Sequence, residues 1–244
     1  MAAPTPQAPR RGLARTLSKL GVCSRAEAAR WIEAGRVAVG GRVVRDPEWP
    51  IEAGSGAITL DGTPVVAPGR RYIVLNKPRG LVTTAADERG RDTVYRCLED
   101  PSLPWLSPVG RLDRASEGLL LFCNDPGWAA RITDPATGPL KTYHVQVDAI
   151  PGVALPPALV GGAEVDGEWL RAASARVLRT GTRNAWIEVV LDEGRNRHIR
   201  RLLAAFDLSV LRLVRVAIGE LALGELGKGQ WRDLSAAEVE RLSR

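Results

Sequence analysis

Leu119, Leu120, Leu121, Phe122 and Cys123 follow one another with nothing polar between them, and this run limits the fold more than any other stretch of the chain. Successive side chains of a strand point to opposite faces, so a strand of this kind must be covered on both, as in the middle of a sheet. Directly before it stands Val109-Gly110-Arg111-Leu112-Asp113-Arg114-Ala115-Ser116-Glu117-Gly118. Here one acidic group lies between two arginines at the mouth of a buried strand. Such a carboxylate is held on a rigid base and aimed outward, which makes Asp113 a candidate catalytic group. Spacing alone leaves a plainer reading open, an aspartate that caps a turn and pairs with a neighbouring arginine.

With 244 residues, 45% hydrophobic and 25% charged, the chain has room for one large domain and a small one. No apolar run approaches the roughly 20 residues that span a bilayer, and the Ala/Pro-rich start has no apolar core of a secretory signal. The three cysteines, Cys23, Cys97 and Cys123, form no Cys-x-x-Cys pair. Neither a disulfide framework nor a zinc ribbon is suggested, and a cytoplasmic protein is expected. His144 and His198 are too few and too far apart for a metal site, so none is expected. The net charge of +6 comes mostly from arginine, the side chain that grips phosphate with two prongs. Gly227-Lys228-Gly229 lacks the glycine and the Ser/Thr that a P-loop needs, at Ala222 and Gly229. With no nucleophile elbow or dinucleotide turn either, kinase, hydrolase and dehydrogenase readings have no support.

Residues 1–12 read as a disordered tail broken by Pro4, Pro6 and Pro9. Leu13, Leu17 and Leu20 make one helical face, Ser24-Arg25-Ala26-Glu27 opens a second helix as a capping box, and Gly40-Gly41 turns a short hairpin. Arg15, Lys19, Arg25, Arg30 and Arg36 crowd this small unit, residues 13–62, and point to an RNA-binding surface. Residues 63–70 read as a linker and 71–244 as the large domain. In the large domain, Lys141 to Val147 alternates, with Tyr143, Val145 and Val147 on one face; Trp186 to Leu191 is another strand. Asp192 to Asn196 turns into a helix whose apolar stripe is Ile199, Leu202, Leu203 and Phe206. Arg200 lies beside that stripe, where a half-buried ion pair is expected, and Arg201 points away. Val210 to Ile218 reads as the final strand, and Ser235-x-x-Glu238 caps a closing helix. The expected fold class is α+β: a mixed, mainly antiparallel sheet with flanking helices, preceded by a small α/β domain.

Two resemblances attach to these residues. Leu13-x-Arg15-x-Leu17, Gly21-Val22-Cys23-Ser24-Arg25 and Gly35-Arg36-Val37-x-Val39-x-Gly41 resemble the small RNA-binding domain named after small-subunit ribosomal protein four. Over residues 71–234 the Gly-Arg-Leu-Asp loop, Asn76-Lys77-Pro78-x-Gly80, Lys141-x-Tyr143, Glu193-Gly194-Arg195-Asn196-Arg197-His198-Ile199-Arg200-Arg201 and Val214-Arg215-x-x-Ile218-Gly219 come in order. That series is similar to the RsuA/RluB/RluE/RluF family of ribosomal RNA pseudouridine synthases. The resemblance implies that Asp113 is the essential aspartate and that Arg200 is its basic companion. Tyr143 would pack on the target base and help remove the C5 proton, with a half-buried core tyrosine as the alternative. Arg111 would fill the gap left when the target nucleotide leaves its helix. The reaction would be the isomerisation of a uridine in ribosomal RNA or in a ribosome assembly intermediate, with no cofactor, NTP or membrane involved, by a monomer. Arg195-Asn196-Arg197 is closer to the large-subunit enzymes. Cys123 and His198 stand where the family commonly has Thr and Gln or Glu. A non-catalytic RNA-binding factor of ribosome assembly is the competing reading.

Overall fold

The computed structural model describes residues 11–51, 57–85 and 87–243. Two compact units divide the chain: one runs to Arg71 and takes in Asp100–Ser107 and Cys123–Pro126, and the other holds the remainder. Residues 1–10 of the expected tail lie outside the described residues.

In the first unit the elements are β1 (Arg11–Gly12), α1 (Leu13–Lys19), α2 (Arg25–Glu33), β2 (Val37–Val39), β3 (Arg42–Val43), β4 (Pro50–Ile51), β5 (Ile58–Leu60) and β6 (Thr63–Pro64). Leu13 and Leu17 of α1 and Ala28 and Ile32 of α2, each pair four residues apart, bury one face of their helix together with Val37, Val44 and Ile51. The sheet runs β3-β2-β5-β6. Its two hairpins turn on residues with positive φ, Gly40 and Gly41 at 57° and 82° and Asp61 and Gly62 at 49° and 81°, as the twist of a two-residue turn requires. The Ser24 hydroxyl caps α2 by accepting from Glu27 N at 3.0 Å. The return half of the expected capping box is replaced by an ion pair between Glu27 and Arg30.

Two boundaries differ from the sequence expectation. Arg11 and Gly12, expected in the tail, pair with Ile51 and Pro50, because the unsatisfied N–H groups at the start of α1 draw on this edge. Leu13 N donates to Trp49 O and Ala14 N to Pro47 O, both at 2.9 Å, in place of a side-chain cap. Thr63 and Pro64, expected in the linker, pair with Leu60 and Thr59 of β5.

Apart from the end residues Ser107, Cys123 and Pro126, which fall in the first unit, the second unit contains β7 (Tyr72–Lys77), β8 (Ser107–Val109), β9 (Glu117–Cys123), α3 (Pro126–Thr133), β10 (Lys141–Val147), α4 (Leu155–Gly161), β11 (Ala163–Val165), β12 (Glu168–Leu170), β13 (Ser174–Thr180), β14 (Ala185–Leu191), α5 (His198–Ala204), β15 (Val210–Ile218), β16 (Leu221–Ala222), β17 (Trp231–Asp233) and α6 (Ala236–Arg241). One sheet runs β13-β14-β10-β15-β9-β7-β17, with β16 on β15 and β8 on β9. The fold is therefore α+β with a mainly antiparallel sheet, and the β15–β9 pair is parallel. β9 lies between β15 and β7 with all seven residues buried, the position its sequence demands. β10 alternates, Tyr143, Val145 and Val147 buried and the residues between them half-exposed. Val210–Ile218 is not the last strand: β16 and β17 follow it, and Trp231 to Asp233 cross back to pair with β7.

Gly118 is where the parallel pair closes. Its φ is +102°, and a Cβ there would stand 2.2 Å from Arg215 O. Backbone strain of this kind costs roughly 1–3 kcal/mol, and forced repacking costs about as much again. Gly118→Ala is expected to destabilise the protein by about 3 kcal/mol or more, read as a drop in the urea midpoint. Gly41→Ala, with nothing within 4 Å of the added carbon, serves as the comparison; equal losses for the two would contradict the close approach.

Candidate active site

β9 begins four residues after Asp113, and the loop between them is tied down through its backbone. Ser116 N donates to Asp113 O at 3.0 Å, closing a turn. The Lys77 ammonium, at the end of β7 and wholly buried, donates to Asp113 O at 3.2 Å, to Ser116 O at 2.8 Å and to Pro78 O at 3.1 Å. From the other side Arg200 of α5 donates to Ala115 O at 3.3 Å and to Val210 O at 3.2 Å. The loop carbonyls of Asp113, Ala115 and Ser116 thus face cations, and the half-buried Asp113 side chain is left without a hydrogen bond or ion pair among the described residues. The plainer alternative fails in one respect: the turn exists, but Asp113 closes it with its carbonyl, and its carboxylate is not paired with Arg111 or Arg114.

Asp113, Tyr143 and Arg200 all line one cleft of about 470 Å³, with Arg111 at its mouth. Tyr143 is 8% exposed and stands on β10 opposite Arg215 of β15. Arg200 does not make the expected ion pair among the described residues: its partners are the two carbonyls, and its Nε is buried without a partner. Burial pulls the guanidinium below its ordinary pKa, Arg197 adds to this, and the Asp113 charge opposes both. Arg200 lies at the half-buried edge that the helical stripe implies, while Arg201, itself half-buried, reaches away from the cleft to Glu168 and Asp166 at 2.6 and 3.2 Å.

Several cleft residues had no role assigned from sequence. Arg215 is 5% exposed and its Nε donates to Leu119 O at 2.7 Å, which ties the cleft floor to β9. Lys141 is half-buried, and burial followed by the Arg215 charge lowers its pKa. His198 is 3% exposed, with both ring nitrogens buried and unpartnered and Nδ1 3.8 Å from Glu193 Oε1. Burial lowers its pKa, so the ring lines the cleft in its neutral form at pH 7. Cys123 does not line the cleft; its Sγ donates to Asp125 O at 3.3 Å. Among the described residues no group of three His, Cys, Asp or Glu could hold a metal ion, and no helix is long and apolar enough to cross a membrane.

The five basic residues singled out in the first unit divide into two kinds. Arg25 pairs with Glu48 at 2.7 Å, Arg30 with Glu27, and Arg36 with Asp61 at 2.5 Å. Glu48 and Asp61 come from outside the helices, which a count of acids on the helices alone could not include. Arg15 and Lys19 are exposed and have no carboxylate partner among the described residues.

Lys77 is the residue that sequence reasoning passed over, although an ionisable residue ending the apolar run Ile73-Val74-Leu75 was a visible signal. Burial lowers its pKa from 10.5 to about 8, against the opposing charges of Asp113, Cys97 and Glu117. Above the folded pKa the unfolded chain holds the proton and the folded chain does not, so stability from this group rises with pH between about 8 and 10.5. The rise is bounded at about 3 kcal/mol, from 1.36 kcal/mol per pH unit. Lys77→Met is expected to remove that rise from a series of urea melts; an unchanged pH dependence would contradict a buried ammonium at this position.

Comparison with known proteins identifies the family. Residues 71–205 match the model of the RNA pseudouridylate synthase family, and residues 11–56 match that of the S4 domain. An uncharacterized RNA pseudouridine synthase of Aquifex aeolicus is 36% identical, the alignment covering 93% of this chain and 91% of the relative. Another from Mycobacterium tuberculosis is 36% identical over 94% of this chain and 92% of the relative. A crystal structure of a pseudouridylate synthase superposes with a TM-score of 0.67 at 27% identity, covering 95% of this chain and 99% of the other. An S4 domain followed by a synthase domain is also the pairing expected of the RsuA-like subfamily. On the matched family model, the near full-length relatives and the shared fold, the chain belongs to the RNA pseudouridylate synthase family.

Proposed function

We propose that the chain isomerises a specific uridine of ribosomal RNA to pseudouridine with Asp113 at the centre of the reaction, in the cytoplasm and, by the likeness of Arg195-Asn196-Arg197, in the large subunit. The reaction breaks the bond from uracil N1 to the ribose C1′, turns the base, joins C5 to C1′ and removes the C5 proton, while N1 takes up one proton. Bonding and oxidation state balance within the nucleotide itself. A carboxylate is needed at the anomeric carbon, either to attack it or to take the neighbouring 2′ proton. The observation that carries the reading is the free Asp113 carboxylate in a cleft shared with Tyr143 and Arg200, on a loop whose carbonyls already occupy the nearby cations. A carboxylate locked in an ion pair would have to break it before reacting; this one does not. Preorganisation of that kind holds the reacting group in place before substrate arrives.

In this reading Tyr143 packs against the extruded uracil and assists loss of the C5 proton, while Arg200 holds the loop through Ala115 and supplies positive charge beside Asp113. Arg111, exposed at the mouth, occupies the space the nucleotide vacates. In the first unit Arg15 and Lys19 are free to meet phosphate, whereas Arg25, Arg30 and Arg36 must first release exposed, solvent-screened ion pairs.

The test is Asp113→Asn with ribosomal RNA from a strain lacking the chain. The variant is expected to bind this RNA within about twofold of wild type, because an amide of the same shape replaces an unpaired carboxylate, and to lose activity by at least about a thousandfold. Turnover within tenfold of wild type would overturn the assignment of Asp113.

A further inference from the structure

Beside the cleft runs a second depression of about 680 Å³. The two share Gly110 to Asp113 on one side and Gly194, Arg195 and Arg197 on the other, so they are one continuous surface within the second unit. Six arginines line the second depression against the acids Asp87, Glu88 and Asp113. Their partners sort them. Arg91 is held by Asp87 through three hydrogen bonds of 2.6 to 3.1 Å, and Arg195 Nε donates to Glu193 at 2.8 Å. Arg89, Arg111, Arg114 and Arg197 are exposed and have no carboxylate partner among the described residues.

These arginines without carboxylate partners stand on braced backbone. Asp87 accepts from the backbone N–H of Arg89 and of Arg91, at 3.2 and 2.8 Å, which fixes the turn that carries Arg89. Arg114 Nε donates to Gly80 O at 3.1 Å while Gly80 N donates to Arg114 O at 2.8 Å. Arg197 sits immediately before α5 in the left-handed region, φ 50° and ψ 30°. A non-glycine residue there is strained, and such strain persists where surrounding structure imposes it, often at functional positions. A glycine would adopt that backbone freely, yet the position carries a long cation at the junction of the two depressions.

We propose that this groove holds the phosphates of the RNA strand adjoining the nucleotide that enters the cleft, with Arg89, Arg114 and Arg197 as phosphate ligands. The inference rests on the proposed function for the identity of the polyanion. Guanidiniums on three separate segments, the turn after Asp87, the Asp113 loop and the start of α5, suit an extended chain of phosphates. The groove also accounts for the division of arginines: those with carboxylate partners shape its walls, and those without face the ligand. Backbone contacts made next to the cleft fix the register of the strand and leave the choice of base to the cleft itself.

The test compares wild type with the double variant Arg89→Ala/Arg197→Gly, in which glycine keeps the left-handed backbone. RNA binding is measured against salt with labelled ribosomal RNA from a strain lacking the chain, and turnover is measured on the same RNA. Loss of two phosphate contacts should reduce the slope of log affinity against log salt by about 1.4, taking 0.7 per contact on a single strand. KM should rise by about tenfold or more while kcat stays within about twofold. Arg89→Lys/Arg197→Lys should restore most of the slope, since it keeps both charges. Arg176→Ala, at a residue that lines neither depression and is paired with Glu188 at 2.6 Å, should change nothing. A double variant with unchanged slope and KM would overturn the groove assignment, and so would a lysine pair no better than the alanine–glycine pair. Wild-type protein that binds with the full slope yet forms no pseudouridine would contradict the proposed function instead; the groove would then stand or fall on the slopes alone.

Discussion

An ammonium group with no exposed surface has to find its acceptors inside the protein, because transferring it from water without them costs several kcal/mol. Lys77 finds three, the carbonyls of Pro78, Asp113 and Ser116. That requirement fixes the end of β7 against the loop that leads into β9, and it turns the loop carbonyls inward. Arg200 does the same for Ala115 from the side of α5. The consequence is a separation of roles along a short loop: the backbone satisfies the cations and the Asp113 side chain is left to the cleft. Two cations and a carboxylate placed close together would ordinarily pair with one another. Here the geometry of the carbonyls prevents it.

The sheet supplies the rigidity this arrangement needs. β9 is buried throughout between β15 and β7, so the loop at its start cannot drift without disturbing the core. Glu117, the first residue of β9, is 3% exposed and bound by Arg212 and Lys228, each at 2.8 Å. The Arg212 guanidinium, helped by Lys228, holds the Glu117 carboxyl down at about 2 despite burial. Gly118 then allows the parallel contact with Arg215, whose side chain reaches back to Leu119 O. Floor, loop and neighbouring helix are therefore joined through Asp113–Leu119, a segment of seven residues.

What could be read from the sequence was whatever depends on local pattern. The unbroken run Leu119–Cys123 implied an interior strand, the alternation of β10 placed Tyr143 inward, Gly40-Gly41 marked a hairpin, and Ser235 with Glu238 formed the capping box expected of them. Local pattern was also enough to separate Arg200 from Arg201. The rest depends on partners distant in the chain. β17 is three residues long and exists because it pairs with β7, more than 150 residues earlier. β13, an edge strand with much of its length exposed, carries little hydrophobic signal. The Asp166-Gly167 turn joining β11 and β12 was present in the sequence, with φ of 53° and 77°, and was not read. The ion pairs of Arg25 and Arg36 and the carbonyl acceptors of Lys77 and Arg200 belong to the folded chain alone. Periodicity records which face is buried; it does not record which acceptor a buried cation meets.

The central claim is that a free, loop-mounted carboxylate makes this chain an enzyme that converts a uridine of ribosomal RNA. Its most direct measurement is a carbodiimide map of pseudouridine over all ribosomal RNA, in a strain lacking the chain and in the same strain supplied with wild type or with Asp113→Asn. The account predicts one position that is unmodified without the chain, restored by wild type and still unmodified with the variant. A map identical in all three strains would contradict it.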